Sequence, residues 1–184
     1  MIVTIGMLEF TSIAKGYDGE DSMLKAGAVE LVLARTICSG KYIVVVSGDV
    51  DAVKAAVDAG KTVSKGYIAD ELIIPHVHES VLPAMTGSIN LKKEDQDALG
   101  IVETFSAASA IKAADAAAKA TGVTLFLLHL AMAIGGKGYM LMTGDVASVR
   151  ASVDAAVDAA AGDGLLVEKS IIPRPQEELF QIIL

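Results

Sequence analysis

Cys38 is the residue most able to do chemistry in this chain, and it is the single cysteine among 184 residues. One thiol excludes an internal disulfide and any cysteine-rich metal site that a single chain completes by itself. The residues alone leave two readings open: a small buried hydrophobe, as free cysteines often are, or a thiol presented to solvent. Its place beside Ser39 and Gly40, in a turn between two β-branched runs, favours presentation. Gly135-Gly136-Lys137-Gly138 resembles a phosphate loop only in part, because Ala131 and Gly138 stand where that motif needs a glycine and a Ser or Thr. It reads as a flexible turn matching the Cys38 turn. His76 and His78 alternate and would share a strand face, but no third ligand is near them in sequence, so both read as satisfied or solvent-facing. His129 sits in an apolar run and reads as a hydrogen-bonded core histidine. Glu9 and Glu103 are isolated carboxylates whose recurrence suits structure better than catalysis. No nucleophile elbow, Cys-His signature or metalloprotease motif occurs. Enzyme activity is not expected.

Composition narrows the setting. Hydrophobic residues make up 53% of the chain, yet aromatics are 4% and tryptophan is absent. A chain this short leaves much of that apolar surface outside any single core, and surplus apolar surface marks subunit interfaces; an oligomer is expected. The most apolar run, Val123 to Ile134, is interrupted by His129 and is too short to span a bilayer, which needs roughly 20 residues. No signal-peptide pattern precedes Glu9, so a cytosolic location is expected. A net charge of −8 without basic clusters argues against nucleic acid as a partner.

The elements that must position these residues come in two sets. Gly6-Met7-Leu8-Glu9 recurs as Gly100-Ile101-Val102-Glu103; Asp21, Lys25, Ala26 and Val29 recur as Asp115, Lys119, Ala120 and Val123. Small slips in loops then bring Gly40-Lys41 onto Gly136-Lys137, Gly48-Asp49-Val50 onto Gly144-Asp145-Val146, and Ile73-Ile74-Pro75 onto Ile171-Ile172-Pro173. Ordered repetition of this kind is a duplication, dividing the chain into domains at 1–90 and 91–184 around a polar linker, Thr86 to Asp97. Each half reads as a strand (Ile2 to Leu8), a helix from near Tyr17 to Gly27, strands at Val29–Ile37 and Tyr42–Ser47, a helix N-capped by Asp49, and a closing strand Tyr67–Ile74 ending at Pro75. In the second half, Ser106 to Thr121 is the first helix and Asp145 caps the second. The fold class is α/β, or more narrowly α+β and ferredoxin-like, twice over.

This order, with Gly-x-x-Glu on the first strand, Asp-x-x-x-Lys-Ala on the first helix, Gly-Asp-Val opening the second and Ile172-Pro173-Arg174-Pro175 at the end, resembles the bacterial microcompartment shell domain. Two copies, in the ordinary rather than the circularly permuted order, resemble its tandem class, whose trimers imitate the hexamers of single-domain relatives. Leu8 to Gly16, Thr36 to Lys41 and Gly135 to Lys137 are similar to the propanediol-utilization members that hold an iron–sulfur cluster at their centre, although Ser39 stands where relatives often have proline. The resemblance implies a homotrimeric tile in the shell of a microcompartment in the cytoplasm. Ile37, Ser39, Gly40, Ile134, Gly135 and Gly136 would then line its pore. Three Cys38 thiolates would hold one 4Fe-4S cluster per trimer, for electron transfer across the shell. Lys25, Lys119, His76 and Arg174 would lie at the tiling edge. Implied partners are other shell proteins and an encapsulated flavin or iron–sulfur reductase. The alternative is a metal-free tile whose pore conducts small metabolites.

Overall fold

A computed structural model describes residues 3–161 and 164–183, the last two by backbone alone. The first repeat runs β1 (Val3–Phe10), α1 (Ile13–Ala26), β2 (Glu30–Ile37), β3 (Lys41–Gly48), α2 (Val50–Val63) and β4 (Ile68–Val77). After a short helix α3 (Val81–Thr86), the second repeats it as β5 (Ala98–Thr104), α4 (Ala107–Ala120), β6 (Thr124–Leu130), β7 (Gly138–Gly144), α5 (Val146–Ala161) and β8 (Leu166–Ile172), and α6 (Glu177–Ile183) closes the chain. Ile2, expected within the first strand, lies outside the described residues.

Both sheets are antiparallel and have four strands, in the orders β2-β3-β1-β4 and β6-β7-β5-β8. Duplication extends to irregularities. The register slips between Glu9 and Phe10 against β4, and between Glu103 and Thr104 against β8. It slips again between Leu31 and Leu33 in one edge pair, and between Leu125 and Leu127 in the other. The glycine of each Gly-x-x-Glu has a packing reason. A β-carbon on Gly6 would come within 2.6 Å of Val53, and one on Gly100 within 2.8 Å of Val149, so each bare backbone lets a valine-faced helix close onto its sheet.

The chain forms two compact units: Met1–Glu79 with Ala131–Gly136, and Ser80–Leu130 with Lys137–Leu184. In the first, Leu8, Phe10, Met23, Tyr42, Val44, Val53 and Val57 pack between sheet and helices. In the second, α4 is buried along most of its length, and a further cluster of Leu91, Leu99, Phe126, Leu141 and Phe180 covers the sheet.

Several boundaries differ from expectation. Helix α1 begins at Ile13, not near Tyr17, with the Ser12 side chain accepting the Lys15 N–H. Strand β4 continues through Pro75 to Val77; an edge strand tolerates the missing N–H, and a register shift with His76 at φ 56° absorbs the distortion. The linker is not wholly solvated, because Leu91 is buried and Ile89 packs beside it. Gly138 belongs to a strand and is buried.

Candidate functional site

Ile37 ends β2 as a buried residue, and Cys38-Ser39-Gly40 makes one tight turn into β3. Ser39 and Gly40 both take positive φ, at 64° and 71°. The Ser39 conformation is closed to proline, whose ring fixes φ near −65°. Cys38 is half-buried, whereas Ser39 and Gly40 are exposed. Its N–H donates to the carbonyl of Ala131 at 3.1 Å.

That carbonyl opens the loop Ala131–Gly136, which belongs to the first compact unit. Ala131, Ala133, Gly135 and Gly136 all have positive φ, and the turns they make bring the N–H groups of Ala133 to Gly136 to one point, as in the backbone concavities that bind anions. Here that point is a sulfur. Desolvation pushes the Cys38 thiol up, but the backbone amides of Gly136, Gly135, Ile134 and Ala133 outweigh it and hold the thiol below its ordinary range. The thiolate is the nucleophilic and metal-binding form. The sequence-derived loop residues Ile134, Gly135 and Gly136 are thus brought to Cys38 within one unit.

A pair that the sequence reading did not assign stands beside each loop. Lys41, directly after the Cys38 turn, reaches Glu9 on β1 at 2.7 Å, and the Glu9 side chain is 7% exposed. Lys137, directly after Gly136, forms the equivalent ion pair with Glu103 on β5. The signal was available, since both members of each pair recur at matched places. It answers the carboxylate question: Glu9 and Glu103 are structural partners of lysines.

The expected edge residues have surroundings of their own. Lys25 pairs with Asp21, and Lys119 with Asp115, each at 2.6 Å in the last turns of α1 and α4. Both helices therefore end in a cation–carboxylate pair one turn long. His76 is exposed on β4, and Arg174 is exposed after β8, lining a cleft with Lys93, Asp97 and Glu177. His78 is half-buried and engaged. His129 is half-buried rather than in the core, because its ring stacks on Tyr139 across the β6–β7 pair, at 5.3 Å between centroids. Among the described residues, no three His, Cys, Asp or Glu side chains of one chain gather to hold a metal ion.

The BMC domain profile matches residues 4–77 and 98–175, one match for each repeat. The chain belongs to the BMC domain family. It is similar to the bacterial microcompartment shell protein PduT of Citrobacter freundii, 46% identical over 181 residues that cover 98% of this chain and 97% of that protein. It is equally similar, at 46% identity and a TM-score of 0.94, to the crystal structure of a microcompartment protein from Desulfitobacterium hafniense, with 98% and 99% of the two chains covered. The shell protein PduA of Citrobacter freundii matches 84 residues at 38% identity, covering 43% of this chain and 90% of its own length, or a single repeat. This BMC-domain chain is a structural shell protein of a microcompartment, and the shell is its place; among the described residues no helix is long and apolar enough to cross a membrane.

Proposed function

We propose that three copies of this chain form a shell tile in which the three Cys38 thiolates hold one 4Fe-4S cluster, relaying electrons between the two sides of the shell. The observation that carries this reading is the chain's only thiol, set in a turn just before two exposed residues, with four backbone amides favouring its ionised form. Thiolates are the ordinary ligands of iron–sulfur clusters, so the donor chemistry fits. One donor per chain requires assembly around an axis, with one iron left to a different ligand. When bound, such a cluster supplies one-electron transfer; the protein's part is to present the sulfur and to hold it ionised.

Support for assembly comes from comparing the free edges. In the second unit, α3 packs on edge strand β6 and reaches α4. The matching edge of the first unit, β2 with α1, carries Leu31 at 44% exposure and Tyr17 at 60%. An apolar edge that is covered in one copy of the repeat and open in the other is what another chain would cover. The tile's partners are then copies of itself and other shell proteins, with an encapsulated flavin or iron–sulfur reductase as the electron partner, in a compartment of the propanediol-utilization kind. The tile has no catalytic role of its own, and Lys25, Lys119, His76 and Arg174 serve its contacts with neighbours.

The test is anaerobic purification with iron and acid-labile sulfide analysis. Brown protein whose visible absorbance and iron disappear in Cys38→Ser supports the reading. Colourless, iron-free wild-type protein overturns it and leaves the alternative, a tile whose pore passes small metabolites.

A further inference from the structure

We propose that the closing helix α6 of one copy covers the open β2–α1 edge of another copy, as α3 covers the β6–α4 edge within the chain. The inference rests on the assembly reading above and names the segment that makes the contact.

Each repeat is followed by a short helix: α3 comes after β4, and α6 after β8. Helix α3 packs along β6 and reaches α4. It buries Val81, Ala84 and Met85, a spacing that gathers apolar residues on one helical face. The sequence of α6 repeats that spacing with Leu179, Ile182 and Ile183.

The two edges correspond residue by residue. Leu125 on β6 and Leu31 on β2 each precede the register slip of their edge pair. Ile111 and Tyr17 hold the same place in α4 and α1. Leu125 and Ile111 are fully buried, whereas Leu31 and Tyr17 are exposed. Leu24 extends the open surface, while its counterpart Ala118 is buried. An apolar surface rimmed by the polar residues of α1 marks a contact site, and the second repeat shows which kind of segment fills it.

The chain's own α6 is engaged elsewhere. Phe180 is buried in the second unit, its ring 6.1 Å from that of Phe126 between centroids, in a cluster with Leu91. The helix that meets β2 therefore comes from a different copy. Within the chain, the helix after one repeat covers the edge of the next repeat. Carried across copies, the same rule joins the end of one chain to the start of another. That contact is heterologous, and such contacts form rings when the rotation closes.

The experiment places the photo-crosslinker benzoylphenylalanine at Gln181, which is exposed on α6, in the full chain. Irradiated protein is separated on a denaturing gel, and the crosslinked bands are digested with trypsin. The expected result is a band of twice the chain mass, in which the Gln181 peptide is joined to residues 16–25 or 26–35, the peptides carrying Tyr17 and Leu31. A chain ending at Gln176 should also lose the trimer by size-exclusion chromatography with light scattering, while circular dichroism reports the fold retained. Should the shortened chain misfold, the crosslink decides alone. Crosslinks confined to one chain, or joined to a different segment in an intact trimer, overturn the helix contact and leave the assembly reading standing. A wild-type protein that stays a single chain overturns both.

Discussion

The backbone N–H of Cys38 donates to the carbonyl of Ala131 at 3.1 Å, so a thiol encoded early in the chain is strapped to a loop encoded far later. The amides following Ala131 then favour the thiolate. Because folded Cys38 holds its proton less tightly than an unfolded cysteine, ionisation favours the fold. Its contribution is fully present above the unfolded value, about 8.5, and is lost as pH falls through the lower folded value. The melting-temperature gap between wild type and Cys38→Ala should therefore widen as pH is raised from about 6 to about 9. A gap that stays constant over that range contradicts the cradle.

Gly6 and Gly100 let helices approach their sheets, and both substitutions should be felt. A β-carbon at Gly6 meets Val53 and Val57 at 2.6 and 2.7 Å, so Gly6→Ala should cost about 1–3 kcal/mol by overpacking. Urea denaturation measures it. Adding Val57→Ala should recover part of the loss, and no recovery would place the strain elsewhere.

The two second helices have the same residue at their start but not the same cap. Asp145 accepts from the N–H groups of Ala147 and Ser148 at 3.0 Å, whereas the Asp49 side chain makes no capping bond. Asp145→Ala should lower the melting temperature at neutral pH, and Asp49→Ala should not. The Ser148 hydroxyl and then its N–H hold the Asp145 carboxyl below its ordinary range. Its contribution is thus present above the unfolded value and fades as acid takes the pH through the folded one. Differential scanning calorimetry at pH about 7 and about 3 separates the two aspartates.

The open edge of the first unit predicts the fate of assembly. If the proposed trimer forms, Leu31→Glu combined with Tyr17→Asp should turn a particle of three 19.0 kDa chains into single chains by size-exclusion chromatography with light scattering, with the fold retained. An undiminished trimer would mean that this edge faces solvent in the tile.

Much of the fold was legible because the chain states it twice. Ser106 was a readable helix start, since α4 is an alanine-rich run with Ser106 at its N-cap. Its counterpart was not, since Gly16 and Gly19 lower the helix signal; each glycine is there because an aromatic ring, Tyr42 or Phe10, lies on the helix where a β-carbon would stand. The extension of β4 past Pro75 was hidden for a related reason: only a strand at the edge escapes the rule that proline ends pairing, and edge position is a tertiary fact. At the site, the turn and its exposed tip could be read from Ser39 and Gly40. The burial of Glu9, the lysines that answer both glutamates and the convergence of amides on the sulfur depend on contacts between distant segments. Only the recurrence of Glu and Lys hinted at them.

The membership of Ala131–Gly136 in the first compact unit has a consequence for each repeat taken alone. A stand-alone first repeat, cut free before the linker, would carry the cysteine but not the amides that ionise it. The acidity of Cys38 is thus a property of the two-repeat chain and not of its first repeat alone.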